Sequence, residues 1–396
     1  MQVDSILFFD DISWKNLLPL TLTRPVADIR IGITKIAEKW TVNSSAAMSY
    51  LCEDYLQEKF PFIETEAPVY INGSCIPDAR LISTIESLQN EQALIHKDII
   101  IAFKTAAKIK SLATLWNQVP QLKKIDYTHP LIRIHRLWDI FRLNDIVLRN
   151  DFLAITSGRT SAPWNHTNTI IGEDLFIEAG AVINAAVINT TTGPVYIGKE
   201  AEIMEGSVIR GPLALCEHST LKMAAKIYGA TTIGPHCKVG GEVNNAVLFG
   251  FSNKAHDGFL GNAVIGEWCN LGADTNTSNL KNNYAEVKLW DYSQQGFINT
   301  GLQFCGLIMA DHSKCGINTM FNTGTVVGFS ANIFGDGYPR NYIPSFSWGG
   351  AAGFTVFKLN QAMEVAAQVM QRRNISFSDA DQNLFNYLFT HKDNTL

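Results

Sequence analysis

The chain has few charged residues and lacks the features of several protein classes. Charged residues make up 17% of its 396 residues and apolar residues 46%, which is too apolar for a disordered chain. Lys plus Arg number 32 against 37 Asp plus Glu, so the net charge of −5 gives no positive field for non-specific nucleic-acid binding. No apolar run approaches the roughly 20 residues of a membrane span. We therefore expect a folded protein with neither nucleic-acid nor membrane partners.

Cysteine usage and the amino terminus indicate a compartment. The seven cysteines are an odd number, with no CxxC pair and no Cys/His spacing of a zinc site. The apolar run near the amino terminus follows Asp4 and no basic stretch, so it lacks the pattern of a signal peptide. These absences predict reduced thiols and a cytoplasmic location.

The first part of the chain alternates short apolar runs with amphipathic segments. We predict strands over 5–9, 69–71 and 99–103, and helices over 31–40, 81–88 and 106–118. This alternation favours an open α/β sheet. A connecting helix is predicted over 138–152, and the polar loop 157–168 is a domain boundary.

From Ile171 onward, an apolar residue recurs at every sixth position. After a two-residue slip the repeat continues without a miss through Ile197, Ile203, Ile209, Leu215, Leu221, Ile227, Ile233 and Val239. Small side chains such as Ala201 and Ser219 follow four residues after most of these. A helix needs a period near 3.6, and a β-sandwich would show strict alternation with irregular turns. The repeat therefore predicts a parallel β-helix with three short strands per coil.

Three parts follow from these patterns. They are an α/β domain over 1–152, a β-helix over 165–336 and a carboxyl-terminal loop with helices over 337–396. Helical spacing covers 355–373, and Ser378 is suited to cap a final helix that runs to His391.

Two polar segments, 244–258 and 275–308, interrupt the repeat of six. Loops that leave a rigid scaffold often carry function. The motif residues in and around them are Ser252, His256, Phe259, Leu260, Gly261, Ile265, Gly266, Asn270, Gly272, Ala273, Thr275, Thr277 and Asn279.

This spacing resembles the acetyltransferase half of the bifunctional enzymes that make UDP-N-acetylglucosamine, which join a glucosamine-1-phosphate N-acetyltransferase to an N-acetylglucosamine-1-phosphate uridyltransferase. The family pattern is S-K-x-x-H-x-x-Y-L-G, followed by I-G-x-x-x-N-I-G-A-G-T-x-T-x-N. The resemblance implies a left-handed β-helix acyltransferase fold, acetyl-CoA as the acyl donor and an amino-sugar phosphate as the acceptor. It also implies a homotrimer with sites between subunits.

The resemblance assigns roles to individual residues. His256 is implied as the general base that deprotonates the sugar amine, a task suited to an imidazole. Asn270 and Asn279 match positions that hold the amino sugar and the acetyl group. Lys226 stands near a basic phosphate-binding position, and Lys254 is a further candidate for substrate binding.

Other residues depart from the family pattern. Phe259 replaces its tyrosine, Asp274 replaces a glycine, and Asn244 and Asn245 replace phosphate-binding lysines. A related acceptor, or a lost activity, fits these changes as well as glucosamine-1-phosphate does. The pair Arg372-Arg373 near a predicted helix end suits either the helix dipole or an anionic CoA.

The first part resembles the nucleotidyltransferase (Rossmann-like) domain of the same family. Active members carry a Gly-rich L-x-x-G-x-G-T-R-M loop that holds the triphosphate. Here those glycines are absent, and Arg24 lies in a retained Thr-Arg-Pro stretch. The resemblance makes Arg24 and Lys15 the candidates for phosphate contact and Asp10 and Asp11 the candidates for Mg²⁺, with UTP or dTTP as the nucleotide.

Two functions of other classes stay open at this point. One is a non-catalytic assembly or regulatory protein built from degenerate enzyme domains. The other is a metal-dependent β-helix enzyme, which needs histidines converging from successive coils. His218 and His236 are one coil apart, whereas His256 and His312 do not continue that spacing. The sequence therefore predicts no metal site among them.

Overall fold

A computed structural model of the chain describes residues 3–42 and 44–392. The chain forms two compact units. The first runs to Arg136, apart from Leu18–Leu22 and Arg30–Ile33, which belong to the second. The second continues from Leu137. The predicted domains 1–152 and 337–396 include residues 1, 2, 43 and 393–396, which lie outside the described residues.

The first unit is built on a six-stranded sheet. Its strands are β1 Ser5–Phe9, β2 Ala47–Leu51, β3 Val69–Asn72, β4 Gln92–His96, β5 Ile99–Lys104 and β6 Lys123–Asp126. Their order is β2-β1-β3-β5-β4-β6, and only β5 runs antiparallel to its neighbours. The predicted α/β sheet is confirmed. All of β1 is buried, so its unbroken apolar run could be predicted as a strand. Strands β2, β4 and β6 contain polar residues and were not predicted.

Short helices flank the strands. They are α1 Ser13–Asn16, α2 Ile36–Thr41, α3 Ala79–Glu86 and α4 Leu112–Gln118, with 3₁₀ turns at Leu20–Leu22, Val26–Asp28, Asp54–Leu56 and Val119–Gln121. The predictions over 31–40 and 106–118 begin too early. The Glu38 carboxylate accepts the Lys35 N–H at 2.7 Å, and the Ser111 hydroxyl accepts the Thr114 N–H at 3.1 Å. These caps place the true helix starts several residues later than the apolar spacing indicated.

The second unit is a parallel β-helix with three short strands per coil, as predicted. We name its three sheets face 1, face 2 and face 3. Face 1 contains Thr169–Ile171, Val187–Asn189, Val208–Arg210, Lys226–Tyr228, Glu242–Asn244 and Phe259–Gly261. Face 2 contains Leu175–Ile177, Val195–Ile197, Leu213–Leu215, Thr231–Ile233, Val247–Gly250, Val264–Glu267, Ile308–Met309, Val326–Val327 and Tyr342–Ile343. Face 3 contains Val182–Ile183, Glu202–Ile203, Thr220–Leu221, Lys238–Val239, Asn253–Lys254, Asn270–Leu271, Lys314–Cys315, Asn332–Ile333, Ser347–Gly350 and Gly353–Val356.

The six-residue period has a simple physical basis. The repeated apolar residues point inward and form one continuous buried core. At the corners, small hydroxyl side chains donate to a carbonyl three residues earlier: Ser207 to Met204 at 2.9 Å, and Thr275 to Gly272 at 2.8 Å. A small side chain is therefore required where the chain turns between faces.

The expected interruption over 244–258 is wrong. Asn244 ends a strand of face 1, and the segment supplies the strands Val247–Gly250 of face 2 and Asn253–Lys254 of face 3. Leu215 pairs with Ile233, eighteen residues on, but Ile233 pairs with Leu248, only fifteen residues on. The coil is therefore three residues shorter, and this contraction, rather than a loop, broke the sequence frame.

The second interruption is confirmed, with narrower limits. Asn276–Thr277 still pairs with Met320–Phe321 of the next coil. The chain then leaves the coil, forms the antiparallel hairpin Lys288–Asp291 with Gly296–Asn299, and returns at Ile308–Met309. The excursion therefore projects from the boundary of faces 1 and 2.

Helices complete the second unit. They are α5 Asp139–Thr156, α6 Leu359–Gln371 and α7 Asp379–Thr390. The α5 side chain of Asn144 donates to the Ala230 carbonyl at 2.8 Å, so the predicted connecting helix packs on the β-helix, and the domain limit at 152 stays a prediction. Ser378 caps α7 as expected, whereas residues 355 and 356 belong to a strand instead of the predicted helix. Within the described ranges, no helix combines the length and apolar character needed to cross a bilayer.

Candidate functional sites

The carboxyl end of β1 delivers two acids to different environments. Asp10 is 4% exposed, and its Oδ1 accepts the Val26 N–H at 2.9 Å. Its Oδ2 is buried and has no hydrogen-bond partner among the described residues. Burial raises the pKa of Asp10 well above its usual value, because the charged form is poorly solvated.

Asp11 is already engaged in structure. Its Oδ2 accepts from Arg133 Nη2 and from Asn72 Nδ2, each at 3.0 Å, and its Oδ1 accepts the Ser13 N–H at 2.8 Å. Mg²⁺ is commonly held by one or two carboxylates together with substrate phosphates. Of the two predicted Mg²⁺ ligands, only Asp10 therefore has a carboxylate oxygen that is free to bind the ion.

A cavity of about 650 Å³ opens beside these acids. Its lining includes Asp10, Asp11, Lys15, Glu53, Asp98, Arg133, His135, Trp14 and Trp116. Four carboxyl groups thus face two permanent cations. Arg24 does not line this cavity, and its 3% exposed side chain lies 3.5 Å from Asp28 Oδ2. The structure brings together three of the four predicted nucleotide-site residues, in an acidic rather than a basic setting.

In the β-helix, His256 lies on the corner between face 3 and face 1. Its side chain is exposed, and its ring makes no hydrogen bond to any described residue. The corner is held from inside, because Lys254 Nζ donates to the His256 carbonyl at 2.5 Å and to the Asp257 carbonyl at 3.0 Å. The imidazole is thus free to meet a ligand on a fixed backbone.

Lys254 occupies an interior position of the coil. It pairs in register with Val239 and is 1% exposed. Burial lowers its pKa to about 8, although Asp257 and Asp274 act in the opposite direction. In this chain Lys254 therefore positions the His256 corner from below.

The remaining predicted residues lie on different faces. Asn270 is exposed on face 3, in register with Asn253. Asn279 lies at the boundary of faces 1 and 2, where its Nδ2 donates to Asn262 Oδ1 at 2.8 Å. Lys226 is exposed on face 1, in the same outward row as Glu242 and Phe259. None of these three residues belongs to the corner that carries His256.

A feature the sequence partly revealed is a stack of rings at the corner between faces 2 and 3. His218 and His236 stack with centroids 4.8 Å apart, and Phe251, Trp268 and His312 continue the stack at 4.9, 4.2 and 6.2 Å. All five have positive φ angles. Among the described residues, no group of three or more His, Cys, Asp or Glu side chains is arranged to hold a metal ion. The histidines here stack as a corner ladder.

The sequence also missed a basic groove between face 3 and α6. Its cations are Lys238, Lys314, Arg372 and Arg373, and its volume is about 560 Å³. Only the two arginines gave a sequence signal. The two lysines could not be found from their spacing in the sequence, because only the strand register of face 3 brings them together.

These sites and the fold define a class: a chain with an α/β unit and a hexapeptide-repeat parallel β-helix. Residues 6–160 match the family model described as "Sugar nucleotidyl transferase". The "Bifunctional sugar-1-phosphate nucleotidylyltransferase/acetyltransferase" of Sulfurisphaera tokodaii is 27% identical over 262 residues, 65% of this chain and 59% of that protein.

Two further relatives match shorter stretches. "Uncharacterized acetyltransferase YaiX" of Escherichia coli O6:K15:H31 is 26% identical over 148 residues, 37% of this chain and 64% of that protein. "Bifunctional protein GlmU" of Methanocaldococcus jannaschii is 28% identical over 198 residues, 50% and 43% of the two chains. The chain thus spans 43–64% of the length of these relatives. The predicted resemblance is confirmed: the chain is similar to bifunctional nucleotidyltransferase/acetyltransferases over part of their length.

Proposed function

We propose that this protein is a cytoplasmic transferase that moves an acetyl group from acetyl-CoA to the amine of an amino-sugar phosphate. The observation that carries the proposal is the exposed imidazole of His256 on a corner fixed by Lys254, inside the acetyltransferase-like motif. The relatives named as acetyltransferases support the reaction class. All seven cysteines are buried and none forms a disulfide bond, which is consistent with a reducing compartment.

The chemistry follows from the imidazole. His256 accepts a proton from the amine as its nitrogen attacks the thioester carbonyl of acetyl-CoA. The new C–N bond forms, the C–S bond breaks, and the CoA thiolate leaves and takes up a proton. A neutral imidazole suits this role because it exchanges protons near neutral pH.

The direct test is thiol release from acetyl-CoA in the presence of amino-sugar phosphates. We expect His256→Ala to lower acetyl transfer by about 10²- to 10⁴-fold, the size of a general-base contribution. His166→Ala, at another exposed histidine, is the matched control and should leave the rate unchanged. A His256→Ala protein that keeps full activity would show that His256 is not the base.

We further propose that the amino-terminal unit binds UTP, dTTP or a sugar nucleotide but turns over slowly. The excess of acids around its cavity supports this, because they repel a triphosphate unless Mg²⁺ at Asp10 offsets them. Pyrophosphate release from UTP and dTTP with a sugar phosphate tests the proposal. We expect a rate well below an ordinary turnover of about 10 s⁻¹, and a rate at that level would contradict it.

A further inference from the structure

We propose that Asn245 and Asn262 are positioning residues, which orient the Asn279 amide so that its oxygen, Oδ1, accepts a hydrogen bond from the amino sugar. The identity of the ligand rests on the proposed acetyl transfer. The orientation follows from the row of three side-chain amides that these asparagines form at the boundary of faces 1 and 2, which we name the amide row.

The amide row begins at two backbone carbonyls. One terminal atom of the Asn245 side chain lies 3.1 Å from the Phe141 carbonyl oxygen in α5 and 3.3 Å from the Ala230 carbonyl oxygen. Carbonyl oxygens only accept hydrogen bonds, so this atom is the donor, Nδ2, and the other terminal atom is Oδ1. The two carbonyls therefore fix the direction of the Asn245 amide.

This direction passes along the row. Asn262 Nδ2 donates to Asn245 Oδ1 at 2.9 Å. Asn262 Oδ1 then faces Asn279 and accepts from Asn279 Nδ2 at 2.8 Å. Reversing any one amide would place two donors or two acceptors together, so the three orientations are coupled. Among the residues that the structure describes, none donates to Asn279 Oδ1, and this oxygen is left for a ligand.

The backbone alone does not require asparagine at these corners. Asn245 and Asn262 have positive φ angles of 51° and 46°, which asparagine tolerates better than most residues. However, Gly229 occupies the equivalent corner one coil earlier with a φ of 66°, and Ala185 has a positive φ at another corner. Other residues would therefore satisfy the turn, whereas the Asn262 amide also accepts from Asn279 and donates to Asn245.

The surroundings of Asn279 suit a sugar. A Cβ atom at Gly261 would lie 2.5 Å from Phe259 Cζ and 2.6 Å from Asn279 Nδ2, so the ring and the amide approach each other over this glycine. An aromatic ring beside a fixed acceptor suits a ligand that has an apolar ring face together with O–H and N–H donors. Because Oδ1 is the open atom, Asn279 binds a donor group of the amino sugar rather than the thioester oxygen.

Unfolding of Asn279→Asp tests the orientation without any ligand. A carboxylate at this position would face Asn262 Oδ1 with no hydrogen between them, so the midpoint of thermal unfolding at pH 7 should fall by about 2–4 °C. In an Asn262→Gly background the opposing oxygen is gone, and Asn279→Asp should cause no further fall. Asn253→Asp is the matched control. Asn253 Oδ1 accepts from Arg373 Nη2 at 3.3 Å, so a carboxylate there should keep or raise the midpoint.

Steady-state kinetics of acetyl transfer test the role of the orientation. Asn262→Gly removes the partner of Asn279 and suits the positive φ angle. The KM for the amino-sugar phosphate should rise about tenfold, while kcat and the KM for acetyl-CoA change less than about twofold. Asn262→Asp still accepts from Asn279 but cannot donate to Asn245, so it should unfold at a lower temperature and yet keep the wild-type KM. A merely structural role would change stability and KM together.

The outcomes distinguish this assignment from the proposed function. If Asn279→Asp is as stable as wild type, the assignment is overturned whether or not the protein transfers acetyl groups. If Asn262→Gly lowers kcat and leaves the KM for the amino-sugar phosphate unchanged, Asn279 acts on the thioester oxygen, and the assignment is overturned while acetyl transfer stands. If wild type neither acetylates glucosamine 1-phosphate nor binds it in isothermal titration, the proposed function and the ligand of Oδ1 are both contradicted, and the unfolding test still decides the orientation.

Discussion

At the residue scale, Lys254 shows how a core position can serve a surface site. An apolar residue there would satisfy the coil, but only a long donor reaches the His256 and Asp257 carbonyls from inside. The cost is a buried ammonium, visible in a pKa lowered to about 8. Proteins commonly give up some stability at a residue that fixes the geometry of a functional site.

This exchange predicts the behaviour of Lys254→Met. The variant removes the buried charge, so at pH 7 its free energy of unfolding should equal or exceed that of wild type. Acetyl transfer should fall at least tenfold, because the His256 corner loses both internal hydrogen bonds. Denaturant unfolding and the thiol-release assay measure the two effects.

The difference in unfolding free energy between wild type and Lys254→Met should depend on pH. Between pH 8 and about 10.4, unfolded wild type binds a proton at Lys254 that the folded protein does not, so this group adds stability as pH rises. Across this window, the free energy of unfolding of wild type should rise by about 3 kcal/mol relative to that of Lys254→Met. The shifted tyrosines, and the cysteines other than Cys315, which interacts with Lys254, are common to both proteins and cancel. Leu271→Met, a neighbouring interior swap, should show no such gain, and a flat difference for Lys254→Met would contradict the prediction.

At the element scale, the sequence revealed what depends on local periodicity and missed what depends on register. The coils could be predicted because each inward residue and each small corner residue recurs every six positions. The short coil after Ile233 broke that count, although backbone pairing continues through Leu248. A frame counted in residues cannot distinguish a tightened corner from a loop.

The candidate sites follow the same rule. Asp10 and Asp11 could be predicted because they directly follow a buried strand, and Lys15 through the family resemblance. Lys238 and Lys314 of the basic groove could not be predicted together. The hairpin excursion separates them along the chain, and only the strand pairing of face 3 brings them to one face. Arg24 was misleading because a retained short motif carries no information on burial.

At the scale of the whole molecule, exposed apolar side chains follow the edge that carries His256. Met223 and Ile317 lie on the corners between face 3 and face 1, on the same edge as His256, and are 67% and 71% exposed. Val182 and Val208, on the adjoining strands of face 3 and face 1, are 49% and 51% exposed. A row of this kind indicates a surface that another protein covers.

We therefore predict a homotrimer in which this edge packs against a neighbouring chain. A closed threefold ring leaves no unpaired copy of the interface, and a contact of this kind should bury well over about 1,000 Å². Each His256 would then face a second chain.

Light scattering measures this assembly directly. The particle should weigh three times the 43.9 kDa chain, and Met223→Glu, which places a charge in the packed edge, should shift it toward the monomer and lower acetyl transfer. Lys199→Glu, at an exposed cation on the corner between faces 2 and 3, is the control and should leave the mass unchanged. A wild-type protein that stays monomeric at micromolar concentration would remove both the trimer and the shared site, because His256 would then have only its own chain from which to recruit a substrate pocket.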